Sequence, residues 1–164
     1  MTFMTSSEMP GTGPDLHEDR SLLSGAEDLM IWSDKYSVGV ASIDNEHHEL
    51  FDAINDVQAA VKNNEERGKI GSLLNTVAEG TRAHFASEEA MMAASKYNGM
   101  ALHALKHQHL LEQADAFIAR FNRGFDLNKH SLIFLRDWFI PHILETDLNF
   151  GLWYVEHSKH SQAL

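Results

Sequence analysis

The sequence predicts an all-α protein: an up-down-up-down antiparallel four-helix bundle with a flexible N-terminal tail. Three observations carry this. Beyond Trp32 a single proline, Pro141, interrupts long stretches in which apolar residues recur every three or four positions, the period of an α-helix. Asn63-Asn64, Tyr97-Asn98-Gly99 and Gly124 divide those stretches into four segments of about 20 to 30 residues, each roughly 30 to 45 Å long as a helix. Connections that short make sequence neighbours antiparallel.

Residues 1–30 hold Pro10, Pro14, Gly11, Gly13 and Gly25, with acids outnumbering bases six to one, and read as a flexible acidic tail. Residues 31–164 form the helical domain. The first helix follows Val38-Gly39-Val40 with Ser42 or Asp44 as N-cap, and Ile43, His47, Leu50, Phe51, Ile54, Val57 and Val61 form its inward stripe. The second, about Glu66 to Ser95, carries Ile70, Leu73, Leu74, Val77, His84, Phe85, Glu88, Met91 and Met92 at helical spacing. The third, Met100 to Asn122, carries Leu102, His103, Leu105, His107, Leu110, Leu111, Ala114, Phe117, Ile118 and Phe121, and Gly124 closes it. The fourth runs from about Lys129 to Ser158, with Pro141 kinking it or marking a restart.

Composition narrows the function. The 164 residues contain 13 Lys+Arg against 24 Asp+Glu, and a formal charge of −11 repels phosphate backbones and anionic lipid. Nucleic-acid binding and membrane insertion are not expected. No apolar run reaches the ~20 residues of a membrane span, and Met1 to Pro10 lacks a basic start and an apolar h-region, so the chain reads as cytoplasmic. It has no cysteine but 11 histidines. Imidazole is the commonest protein metal ligand, and no thiolate is available here as an alternative.

Each predicted helix places a histidine on its apolar stripe, where an unpaired imidazole is costly to desolvate. His84 and Glu88, and His103 and His107, are i,i+4 pairs, turned only ~40° from alignment, so each acts as a two-pronged ligand. His47 comes from the first helix, and His142 with Asp147 from the fourth. The five-residue spacing of that last pair turns ~140°, so bringing both inward needs a kink at Pro141 or a local π-bulge. Either i,i+4 pair alone would more often be a solvated or hydrogen-bonded pair; convergence of four helices is what points to a metal. His48 and His109 are rotated off the inward faces, His130 sits at a helix start, and His157 with His160 makes only a weak adventitious pair. Met91 and Met92 read as core filling. Five imidazoles and two carboxylates are too many for one four-coordinate zinc but suit two octahedral metals. If both carboxylates and one oxo or hydroxo group bridge, one of the coordination positions stays open. An imidazole-rich pair of this kind suits ferrous iron and a small neutral ligand such as dioxygen.

The stretches WSDKYSVGVASIDNEHHEL (Trp32 to Leu50), HFASEEAMM (His84 to Met92), HALKH (His103 to His107) and WFIPHILETD (Trp138 to Asp147) resemble the bacteriohemerythrin branch of the hemerythrin family. The resemblance implies a non-heme di-iron centre, two iron ions cycling between Fe2+ and Fe3+ with a bridging oxo or hydroxo group, that binds dioxygen reversibly for storage, delivery or sensing. It implies that His103, His107 and His142 hold one iron, His47 and His84 the other, and that Glu88 and Asp147 bridge. Leu50, Trp138, Phe139 and Ile143 would wall the oxygen pocket. Phe139 stands where the family more usually has leucine, and Pro141 directly precedes His142.

The alternative class is a di-iron oxidase or peroxidase, or an iron-handling protein. Oxygen-activating bundles use about four carboxylates and two histidines, whereas histidine leads five to two here. No spare acid is expected beside the site, because Glu89 is rotated ~100° from Glu88. The sequence therefore predicts an oxygen-binding protein rather than an enzyme, monomeric, with an oxygen-requiring enzyme or a signalling protein as its partner.

Overall fold

The computed structural model describes residues 30–161. The order is a short 3-10 turn, Asp34–Tyr36, then α1 (Ala41–Lys62), α2 (Arg67–Ser95), α3 (Met100–Asn122), α4 (Lys129–His142), a π-helical turn (Ile143–Asp147) and α5 (Leu148–Ser161). No strand occurs among the described residues. α1 packs along α2, α2 along α3, and α4 closes against α1. With α4, the π turn and α5 acting as one interrupted helix, this is the expected four-helix bundle. The acidic tail lies outside the described residues except for Met30. That residue is buried, and its backbone exchanges two hydrogen bonds with the Asn55 amide, at 2.8 and 3.0 Å.

α1 forms where the sequence places it, but its start differs. Val40 occupies the N-cap in extended conformation and offers no side-chain cap. Asp44 instead accepts from Ser37 Oγ at 2.7 Å and from the Val38 amide at 2.8 Å, fastening the approach segment to the first turn. Ile43, His47, Leu50, Phe51, Ile54 and Val57 are all buried, which makes the stripe a core face, while Val61 at its end is half-buried. Removing each large apolar side chain from water contributes about 1.5 to 3 kcal/mol.

α3 departs further. Leu102 and Leu105 are 65% and 60% exposed, contrary to their expected place on the inward stripe. His103 and His107 define that face, and at 100° per residue Leu102 and Leu105 turn well away from it. Leu110, Leu111, Ala114, Phe117 and Ile118 are partly buried against the core, and Phe121 is buried. Gly124 ends the helix with φ +101°, a left-handed conformation that glycine adopts without strain.

α4 starts on a capping box between Asn128 and Ser131. Pro141 sits in its last turn, where it withholds one main-chain donor, and the π turn follows at once. In α5, a Cβ on Gly151 would lie 2.1 Å from the Val38 carbonyl oxygen, so the absent side chain is what lets the approach segment rest on the helix.

Candidate metal centre

The seven residues singled out by spacing are all buried: His47, His84, Glu88, His103, His107, His142 and Asp147. α1 delivers His47, α2 His84 and Glu88, α3 His103 and His107, and α4 His142. Asp147 closes the π turn. That turn fits one more residue into each revolution of the helix, so the residue five positions beyond His142 comes back toward the same imidazole, and His142 Nε2 lies 2.9 Å from Asp147 Oδ1.

Two sets of ligand atoms gather within 4.8 Å of one another: Glu88, His103, His107, His142 and Asp147 in one, and His47, His84 and Asp147 in the other. Asp147 belongs to both. Its Oδ1 meets His103 and His142 at 3.0 and 2.9 Å, and its Oδ2 meets His47 Nε2 at 3.2 Å. Glu88 turns Oε2 toward His103 and His107 at 3.1 and 3.3 Å, so it belongs only to the larger set, with Oε1 unpartnered.

Burial alone would raise both carboxyls. The His103 and His107 imidazoles outweigh it at Glu88 and hold that group below its ordinary value. At Asp147 the His103, His142 and His47 imidazoles hold the carboxyl well below the usual range. Both acids therefore stay ionised in the core. Burial pushes His142 down, and Asp147 only partly offsets it. Burial also opposes charge on His103, but the hydrogen bond to Asp147 and the nearby Glu88 carboxylate prevail and raise it to about 9.

The donor set fits metal ions on one further observation. The Nε2 atoms of His47, His84, His107 and His142, both oxygens of Glu88 and Oδ2 of Asp147 are buried with no hydrogen-bond partner. Leaving so many buried polar atoms unmatched is costly in a packed core unless cations satisfy them. Their lone pairs converge, as ligand atoms around cations do.

Beside the smaller set stands one aromatic ring. Phe139 is fully buried and meets His47 and His84 edge-on, with ring centroids 5.7 and 5.9 Å away. Trp138 lies 6.0 Å from Phe139, and Leu50 and Ile143 are buried too. On the other flank Phe85 stacks on His107 at 3.7 Å. The remaining histidines that are described stay outside: His48 lies over Trp32 at 3.9 Å, His109 contacts Gln113, His130 is exposed, and exposed His157 stacks on Trp153.

One expectation is overturned. Acids do stand beside the site, on the outer edges of two imidazoles. Glu46 Oε2 lies 2.8 Å from His84 Nδ1, and Glu89 Oε1 lies 2.9 Å from His107 Nδ1. The 100° that turns Glu89 away from Glu88 aims it across the seam at α3. Both acids adjoin a ligand position in sequence, Glu46 before His47 and Glu89 after Glu88, but the packing of the helices alone sets which imidazole each one meets.

The family described as Hemerythrin HHE cation binding domain matches residues 38–152. A bacteriohemerythrin of Methylococcus capsulatus is 30% identical over 127 residues, covering 75% of this chain and 95% of the relative. One from Stenotrophomonas maltophilia is 27% identical over 119 residues, 73% of this chain and 77% of the relative. Myohemerythrin-1 of Phascolopsis gouldii is 27% identical over 120 residues, covering 73% and 90%. Among solved structures, wild-type hemerythrin superposes with a TM-score of 0.70 at 28% identity, covering 75% of this chain and 95% of that one.

Proposed function

Because the chain belongs to the hemerythrin HHE cation-binding family, we propose that it binds dioxygen reversibly at a non-heme di-iron centre. The two atom sets support a ligand assignment in which His103, His107 and His142 would hold one iron, His47 and His84 the other, and the carboxylates of Asp147 and Glu88 would complete both positions. The observation that carries the reading is the convergence of five buried imidazoles on two buried, ionised carboxylates, with most of the inward nitrogens unpartnered. When bound there, a pair of ferrous ions would supply the electrons for reversible dioxygen binding.

The side chains hold that chemistry at binding. Five imidazoles and only two carboxylates would give a bound metal pair few anionic ligands, which favours the ferrous state over the high-valent iron that oxidases need. Phe139, edge-on to His47 and His84, together with buried Trp138, Leu50 and Ile143, would keep water and protons from a bound ligand so that it leaves as dioxygen. Among the described residues no helix is long and apolar enough to cross a membrane. Storage, delivery and sensing share this chemistry, and the function proposed is the binding step common to all three.

The test is spectroscopic. Iron-loaded protein, reduced anaerobically, should gain colour in air and lose it under vacuum over many cycles. Sustained consumption of a reductant with many dioxygen molecules per chain would overturn the proposal in favour of an oxidase or peroxidase.

A further inference from the structure

We propose that Glu46 and Glu89 are positioning residues, each gripping the outer nitrogen of one ligand imidazole and thereby tuning a different one of the two metal positions. The inference rests on the reading of His84 and His107 as ligands. The His84 Nδ1–H donates to Glu46 Oε2 at 2.8 Å, and Ser87 Oγ donates to Glu46 Oε1 at 2.8 Å, so both carboxylate oxygens are engaged. The His107 Nδ1–H donates to Glu89 Oε1 at 2.9 Å. An ionised carboxylate only accepts, so the ring hydrogen must sit on Nδ1 in both cases. In the neutral ring a ligand histidine presents, that leaves each Nε2 free to face a metal, and both are buried without a hydrogen-bond partner on the inner side.

Each bond crosses a helix seam, Glu46 from α1 to α2 and Glu89 from α2 to α3. A ligand's ring angle is thereby fixed by a helix other than its own. The negative charge also makes each imidazole a stronger donor. His47 provides the internal contrast, because neither of its ring nitrogens has a hydrogen-bond partner. The smaller set therefore has one braced imidazole of two, and losing its brace should weigh more than losing the brace in the three-imidazole set.

The test is anaerobic titration of the chelated full chain with Co2+, followed by ligand-field absorption and calorimetry. The parent should take up two equivalents. Glu46→Ala should weaken one equivalent by about 10- to 100-fold, and Glu89→Ala the other, while Glu49→Gln on exposed α1 surface leaves both unchanged. Glu46→Gln and Glu89→Gln, whose amide oxygen can still accept the Nδ1–H, should restore part of the loss. In a His47→Ala background, which lacks the smaller site, Glu46→Ala should have little further effect and Glu89→Ala its full effect. Two parent equivalents with parent-like affinities in both alanine variants would overturn this inference and leave the di-metal reading standing. Equal weakening of both equivalents by either variant, with a lower melting temperature of the chelated protein, would also overturn it by showing a purely structural role. Failure of the parent to bind two equivalents would overturn the di-metal reading itself.

Discussion

Replacing Asp147 with alanine should empty both metal positions, whereas His47→Ala should empty one. Asp147 is the one residue present in both ligand sets, with Oδ1 against His103 and His142 and Oδ2 against His47. A metal present at one hundred times its dissociation constant stabilises the folded chain by about 2.7 kcal/mol per position, so two positions contribute about 5 kcal/mol. In a domain of this size 1 kcal/mol moves the melting temperature by roughly 3 to 4 °C. Loading metal should therefore raise the parent's melting temperature by about 20 °C, His47→Ala's by about 10 °C, and Asp147→Ala's hardly at all. Each increment is taken against the same variant's chelated form, because deleting the carboxylate also removes the negative charge that His47, His103 and His142 face. Metal per chain, measured by atomic emission beside the melting curves, should be about two, one and none. A full metal equivalent retained by Asp147→Ala, or an increment matching that of His47→Ala, would refute the shared-ligand argument.

Leu50→Asn puts an amide into the apolar wall and should leave iron content near the parent's while the dioxygen-loaded protein turns ferric markedly faster; an unchanged lifetime by stopped-flow absorption removes Leu50 from the pocket. Gly151→Ala forces a methyl against the Val38 carbonyl and should cost about 1 to 3 kcal/mol in urea unfolding, with parent-like stability showing that the approach segment yields freely. In the chelated protein burial works against charge on His103, yet Asp147 and Glu88 raise it to about 9. A raised folded-state value means stability is fully present below the ordinary histidine value and is lost as pH rises through about 9. Chelated protein should therefore melt progressively lower from about pH 7 to about pH 9, and a flat profile would show that His103 carries no such proton.

Much of the site was legible in the sequence because helical periodicity is local. His84 and Glu88, like His103 and His107, share a face whatever surrounds them, and the apolar residues between them fix that face as inward. The bounds of α3 follow from Gly99 and Gly124 in the same way. Tertiary structure decided what depends on a neighbour. The spacing of His142 and Asp147 left a kink and a π-bulge open, and the structure holds a π turn, whose extra residue per revolution lets one carboxylate meet imidazoles from three helices. Leu102 and Leu105 fit a broad apolar stripe in one dimension, but among the described residues no helix packs over their side of α3, and both are exposed. Glu46 and Glu89 look like ordinary surface acids until α1, α2 and α3 are set side by side. Hydrogen bonds between helices depend on axial offset and rotation, and no period along a single helix encodes those.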